Sequence, residues 1–304
     1  MGGGAYSTGN DGVFNGSIRY TRATKAGYYT LPPDQIFKKR TISNMMNPAG
    51  ITIRESRDSE EHPKSVAIVI ALDVTGSMGS VPHHLVKDGL PDIMGKIIQA
   101  GCKDPQTLFL AIGDHTCDRA PLQVGQFESS DELLDKWLTD VYIEGNGGGN
   151  EGESYLLAWY FAARHTSIDC LEKGRTKGFL FTIGDEPVLK NISGEALKEI
   201  MGGGQYDQYV TAAQLLDEAR KKYHVFHVHI RETYAGSREN TMNDWKQLLG
   251  DHLIIAQSHD QISTLIPEAI IKVLSKGNVI DITTKDGPKE SIPNAKDENL
   301  QNIL

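Results

Sequence analysis

Cysteine is scarce in this sequence: Cys102, Cys117 and Cys170 are the only three in 304 residues, and they are widely spaced. An odd count at such spacing fits a reducing compartment better than a disulfide framework, and no zinc-ligand spacing joins the three. Long apolar runs are lacking too. Nothing approaches the roughly 20 residues that cross a bilayer, and the opening MGGGAYSTGN has neither the basic nor the apolar region of a secretory signal. The expectation is a cytoplasmic chain with no membrane partner. An N-myristoylation signal is also incomplete, because Tyr6 stands where Ser or Thr is needed and Ser7 comes one place late. Positive charge is in deficit, with 31 Lys and Arg against 40 Asp and Glu and a formal net charge of −9 at pH 7. That balance repels phosphate backbones and, with no basic patch in view, argues against nucleic acid. Basic protein surfaces or cations are the expected partners.

What is present is an alternation of apolar runs and amphipathic stretches. VAIVIAL (66–72), TLFLAIG (107–113), GFLFTI (178–183), YHVFHVHI (223–230) and HLIIA (252–256) read as strands, with PLQVGQF (121–127) as a further one. Most are continuous Val, Ile, Leu and Phe, the pattern of parallel strands buried on both faces. Between them HHLVKDGLPDIMGKIIQAG, DELLDKWLTD, ESYLLAWYFAARH, YVTAAQLLDEARKK, NDWKQLLG and QISTLIPEAIIKVLS read as helices. Such alternation predicts an α/β fold, doubly wound, with a mostly parallel central sheet flanked by helices. Residues 1–64 read as a mostly irregular N-terminal arm, 65–276 as the domain and 277–304 as a polar tail. In the arm, Arg54, Arg57 and their acidic neighbours read as a solvated face or a hinge onto the domain.

In a sheet of this kind ligands bind beyond the carboxyl ends of the strands, where the strand order reverses. Asp73 stands at that end of the first core strand, followed at intervals of two by Thr75 and Ser77. Taken alone, DVTGS is equally a turn whose side chains satisfy local backbone groups. A phosphotransferase of the haloacid dehalogenase kind places an Asp nucleophile here, but it needs a second Asp where Thr75 stands. Gly147 to Gly152 satisfies the GxGxxG pattern, yet the fingerprint requires a preceding buried strand, and Glu151 and Glu153 repel a pyrophosphate.

Four separated pieces fit together better. ALDVTGSMG (71–79) resembles the DxSxS motif of von Willebrand factor A (vWA) domains, with Thr75 in the middle position. AIGDHTCDRAPLQVGQF (111–127) is similar to the second strand, loop and short third strand of that fold. GNGGGNEGESYLLAW (145–159) is similar to its glycine-rich loop and following helix, and FLFTIGDEP (179–187) to the strand that ends in its last aspartate. The likeness is to bacterial, intracellular members of the family and leaves the arm and tail outside.

The resemblance implies a metal-ion-dependent adhesion site (MIDAS). Thr75 and Ser77 then bind Mg²⁺ directly, Asp73 and Asp185 act through coordinated waters, and Asn150 stands where the family has a Thr or Asp. Mn²⁺ and Ca²⁺ are the alternative ions. The implied function is non-catalytic: capture of a protein partner that offers an exposed Asp or Glu, in an intracellular assembly such as one built around an AAA+ ATPase. The competing readings are a metal-assisted phosphohydrolase using Asp73 and Asp185, and a scaffold whose metal site stays empty. Glu153 reads as a charge at a helix N-terminus, and Asp114 as either a loop anchor or a turn residue. His227 and His229 point to one face of their strand and His224 to the other, which argues against a zinc site there. His83 and His84 read as rim or exposed residues, and Trp137, Trp159 and Trp245 as core.

Overall fold

The computed structural model describes residues 27–28, 30–85, 89–144 and 152–276. The strands are β1 (Arg54–Ser56), β2 (Val66–Asp73), β3 (Pro105–Ile112), β4 (Leu122–Glu128), β5 (Thr166–Ile168), β6 (Gly178–Gly184), β7 (Asn191–Ser193), β8 (Tyr209–Thr211), β9 (Tyr223–Ile230) and β10 (Leu253–Ala256). The longer helices are α1 (Leu90–Gln99), α2 (Asp131–Thr139), α3 (Tyr155–Arg164), α4 (Gly194–Met201), α5 (Ala212–Lys222), α6 (Glu239–Leu249) and α7 (Ile262–Lys276). All six strands read from the sequence are present. They form one sheet in the order β10-β9-β6-β2-β3-β4, parallel except for the antiparallel edge strand β4. This is the doubly wound α/β architecture.

The continuous apolar runs are explained by burial on both sheet faces. In β2, Ile68, Ile70 and Leu72 join one core while Ala67, Val69 and Ala71 join the other. Helices α1, α2 and α7 pack on the first face, and α3 to α6 on the second. Helix α3 is buried all round from Tyr155 to Ala163, which is why its sequence shows no polar stripe. Helix α4 and the small antiparallel pair β7 and β8 were not drawn from the sequence. The signal for α4 is a local cap, the Ser193 side chain accepting the Ala196 N–H; the helix expected over YVTAAQLLDEARKK begins only at Ala212, because Tyr209–Thr211 pairs as β8 and Thr211 forms a capping box with Gln214. Among the described residues, no helix is long and apolar enough to cross a membrane.

The described part of the arm has little regular structure but is closely packed. Met46 is fully buried, Ile36 and Phe37 join the first core, and β1 pairs in parallel with β5. Charge secures the junction. Arg57 holds Asp169, Glu172 and Glu55, while Asp58 receives Lys173 at 2.7 Å and Arg175 at 2.8 Å. Burial opposes ionisation of Asp58 and Asp169. In Asp58 the hydrogen bonds from Arg175, Lys173 and Ser65 outweigh it; in Asp169 those from the Asp58 backbone, Lys173 and Arg57 do, and its carboxyl falls to about 2. A depressed carboxyl pKa contributes stability above the unfolded value of about 3.9 and loses it as pH falls through the folded value. Asp58→Asn is therefore expected to cost about 1–3 kcal/mol at neutral pH, with the gap from wild type closing below pH ~4. Urea unfolding at pH 7 and pH 3 checks this, and equal gaps at the two values would contradict it.

Candidate metal centre

The chain leaves β2 toward β3 on one side and later places β6 on the other side of β2, so the strand order reverses between β2 and β6. Their register pairs Leu72 with Ile183, which puts Asp73 and Asp185 across the crevice that opens at this reversal. Both aspartates are fully buried. After Asp73 the backbone turns into a one-turn 3-10 helix, Gly76–Met78. That turn is organised by Asp73: its Oδ1 accepts the Thr75 N–H at 2.9 Å and the Thr75 hydroxyl at 2.6 Å. The turn reading and the ligand reading of DVTGS thus describe the same residues.

The remaining contacts converge. Thr75 Oγ1 lies 3.3 Å from Ser77 Oγ, and Ser77 donates to Asp185 Oδ1 at 2.9 Å. Asp73 Oδ2 accepts the Tyr155 hydroxyl at 2.6 Å. Asp185 Oδ2 is buried without a hydrogen-bond partner among the described residues, as is Oε2 of Glu153. Each such orphan carries an unrelieved desolvation cost.

Glu153 does stand just before the Ser154 cap of α3, at a helix N-terminus, but it is buried there: its backbone bridges to Val188, with its N–H donating to Pro187 O at 2.9 Å, and its side chain is only 9% exposed. Burial, then the charges of Asp73, Asp114 and Asp118, push its carboxyl far above the usual range, while a hydrogen bond from Thr75 works the other way. Burial and Asp185 likewise push Asp73 up. Three carboxyl groups are therefore held together out of water, an arrangement that a cation relieves. The donor set is entirely hard oxygen, and the Thr75 and Ser77 hydroxyl oxygens, 3.3 Å apart, lie near the ~3 Å edge of an octahedron with 2.0–2.1 Å bonds. Such a donor set is of the kind that a hard divalent cation takes.

Behind the crevice lies an aromatic floor. Tyr155 sits 5.2 Å from the His227 ring and 5.5 Å from Trp245, and His227 stacks on Trp245 with centroids 3.6 Å apart. Burial, with His229 nearby, drives the His227 pKa well down, so the ring is neutral, and its Nδ1 meets Thr182 Oγ1 at 2.9 Å. The Trp245 indole donates to Glu186 O at 3.0 Å, which ties down the loop after Asp185. Tyr155 reaches Asp73 only because residue 184 is glycine. A Cβ there would lie 1.8 Å from the Tyr155 hydroxyl.

Asp73, Thr75, Ser77 and Asp185 are brought together, while Asn150 and the glycine-rich loop 145–151 lie outside the described residues, as do residues 1–26 and the tail 277–304. Asp114 is a turn residue: it accepts the N–H and hydroxyl of Thr116 at 2.8 and 2.7 Å. The flanking backbone still matters, because Gly113 O and the His115 N–H hold Ser154 just before α3. His224 packs on Phe179, away from His227 and His229, as alternation along the strand requires. Two residues at this centre escaped the sequence reading, Glu153 as an inward carboxyl and Tyr155 as the partner of Asp73. Both sit in a stretch whose apolar character signalled only a buried helix.

No family model matches the chain, and no curated protein does. Solved structures do. The pilus adhesin SpaC of Lactobacillus rhamnosus GG aligns at 12% identity and TM-score 0.46, over 71% of this chain and 31% of its own. Proximal thread matrix protein 1 from the mussel byssus, in a structure with a zinc-occupied MIDAS motif, aligns at 10% identity and TM-score 0.41, over 68% of this chain and 47% of its own. A von Willebrand factor type A structure from Catenulispora acidiphila aligns at 13% identity and TM-score 0.38, over 69% and 42%. The chain spans less than half the length of each.

Proposed function

We propose that this chain is a vWA-type interaction module that captures a protein carboxylate through Mg²⁺ and performs no chemistry of its own. The observation that carries the proposal is the division of labour among its oxygens. Both carboxylate oxygens of Asp73 are engaged, one by Thr75 and one by Tyr155, and Ser77 is aligned by Asp185. The hydroxyls of Thr75 and Ser77 would hold the ion, Asn150 would add a neutral oxygen, and Asp73 and Asp185 would orient bound waters. A Mg²⁺ ion so held supplies positive charge that no first-shell carboxylate has cancelled. A carboxylate from outside is the natural complement, and an intracellular assembly partner such as an AAA+ ATPase is the class the family resemblance favours.

The same contacts weigh against the phosphohydrolase reading. A nucleophilic Asp73 would have to give up Thr75 or Tyr155, and Thr75 cannot serve as its general acid. Phosphate release that vanishes in Asp73→Asn would overturn this preference.

Metal binding itself is tested by thermal unfolding. At ten times its dissociation constant, Mg²⁺ stabilises the fold by about 1.4 kcal/mol, a rise of a few degrees in Tm. Wild type is expected to show the rise and Ser77→Ala to lose it. An equal rise in both would remove Ser77 from the site, and none in either would leave the scaffold reading.

A further inference from the structure

A second constellation lies where the one-turn helix Val81–His84 meets the 3-10 turn His259–Gln261 that leads into α7. Asp260 Oδ1 is 3.6 Å from His84 Nε2 and 3.6 Å from His259 Nε2. One ligand atom from each of the three side chains lies within 4.8 Å of the others. The two imidazoles meet edge to face, with centroids 4.6 Å apart. A separation of 3.6 Å is too long for a hydrogen bond, yet it is close to the ~3.4 Å edge of a tetrahedron with 2.0–2.1 Å metal–nitrogen bonds.

The orientation of His259 adds an independent argument. Its Nδ1 faces Glu232 Oε1 in a close hydrogen bond, and its backbone N–H donates to the same oxygen at 2.9 Å. A carboxylate can only accept, so Nδ1 is the donating nitrogen in this pair, which leaves Nε2, the nitrogen that faces Asp260, as the one that would ligate. A carboxylate behind one ring nitrogen with the other directed at a shared point is the support that ligating histidines commonly have. The ligand set also differs in kind from that of the crevice. Two imidazoles and one carboxylate suit zinc and its neighbours in the first transition row, whereas Mg²⁺ prefers oxygen alone. The His84 and His259 side chains are 21% and 23% exposed and Asp260 is 72% exposed, so an ion can enter from solvent.

We propose that His84 Nε2, His259 Nε2 and Asp260 Oδ1 bind a divalent transition metal of the zinc class, with Glu232 as a positioning residue and the fourth ligand supplied by water. Such an ion would fasten the segment that follows the Thr75–Ser77 turn to the start of α7, joining two parts of the chain that are remote in sequence.

The test uses the full chain in buffer saturated with Mg²⁺, which occupies the oxygen site. Co²⁺ is titrated as a spectroscopic probe and Zn²⁺ by calorimetry. One equivalent is expected, with the intense visible bands of four-coordinate Co²⁺. Zn²⁺ affinity is expected to fall about 100-fold in His84→Ala and in Asp260→Asn, and about 10–100-fold in Glu232→Gln, with Ser77→Ala unchanged. Asp260 is exposed, so its variant keeps the test valid if His84→Ala fails to fold. Failure of wild type to take up either metal would overturn the proposal, leaving an ordinary surface cluster of His and Asp. Uptake that survives both His84→Ala and Asp260→Asn, or disappears in Ser77→Ala, would equally overturn it.

Discussion

Gly184→Ala is expected to destabilise the protein by about 3–5 kcal/mol and to disorganise the crevice between β2 and β6. The added methyl would fall 1.8 Å from the Tyr155 hydroxyl and 2.6 Å from the ring carbon that bears it. The ring has nowhere to go: Tyr155 is fully buried and packed against His227 and Trp245. Retreat would also break the 2.6 Å hydrogen bond to Asp73 Oδ2, leaving a buried carboxylate oxygen unsatisfied. The cost therefore combines overpacking with a lost charge-assisted bond. Tyr155→Phe removes that bond alone, at about 1.5–3 kcal/mol. Because both changes sever the same contact, the double variant should be less damaging than the sum of the two. Denaturant unfolding of the four proteins decides the matter, and a Gly184→Ala cost below about 0.5 kcal/mol would show that Tyr155 does not hold Asp73 as described.

The second large effect concerns the partner. A complex centred on a metal-bound carboxylate is expected to be lost completely on adding EDTA at low salt and to withstand moderate salt when Mg²⁺ is present. Surface ion pairs would behave in the opposite way, weakening as salt shortens the screening length from about 8 Å at physiological strength. Asp185→Ala should reproduce the EDTA result while the protein stays folded, because Ser77 loses the acceptor that aligns it at 2.9 Å. On the partner, substitution of a single exposed Asp or Glu should suffice, since one oxygen fills one coordination position. The measurement is retention of partner proteins from a source lysate by the immobilised chain under each condition. Retention through both EDTA and Asp185→Ala would place the contact elsewhere on the molecule.

Much of the architecture was legible from residues 66–276 because it rests on local pattern. Strands buried on both faces must be apolar at every position, so VAIVIAL and GFLFTI announce themselves without knowledge of their neighbours. Asp73, Thr75 and Ser77 were legible for a related reason: residues at intervals of two just past a buried strand lie at its ligand-binding end, and Asp73 closes its turn on Thr75 through contacts two residues long. Helix α4 was harder to read, since its evidence is a serine cap and a short amphipathic stretch among glycines.

What the sequence determined by itself is the alternation of elements, the parallel central sheet and the polar cluster beyond β2 and β6, each a matter of composition and spacing within one segment. Only the tertiary structure decided that Glu153 turns inward, that Tyr155 crosses over Gly184 to reach Asp73, that Met46 of an irregular arm is core, and that His84 meets His259 and Asp260. The physical reason is common to all four. Each depends on which remote surfaces are brought within a few ångströms, and periodicity records that a side chain is buried or exposed without recording what it is buried against.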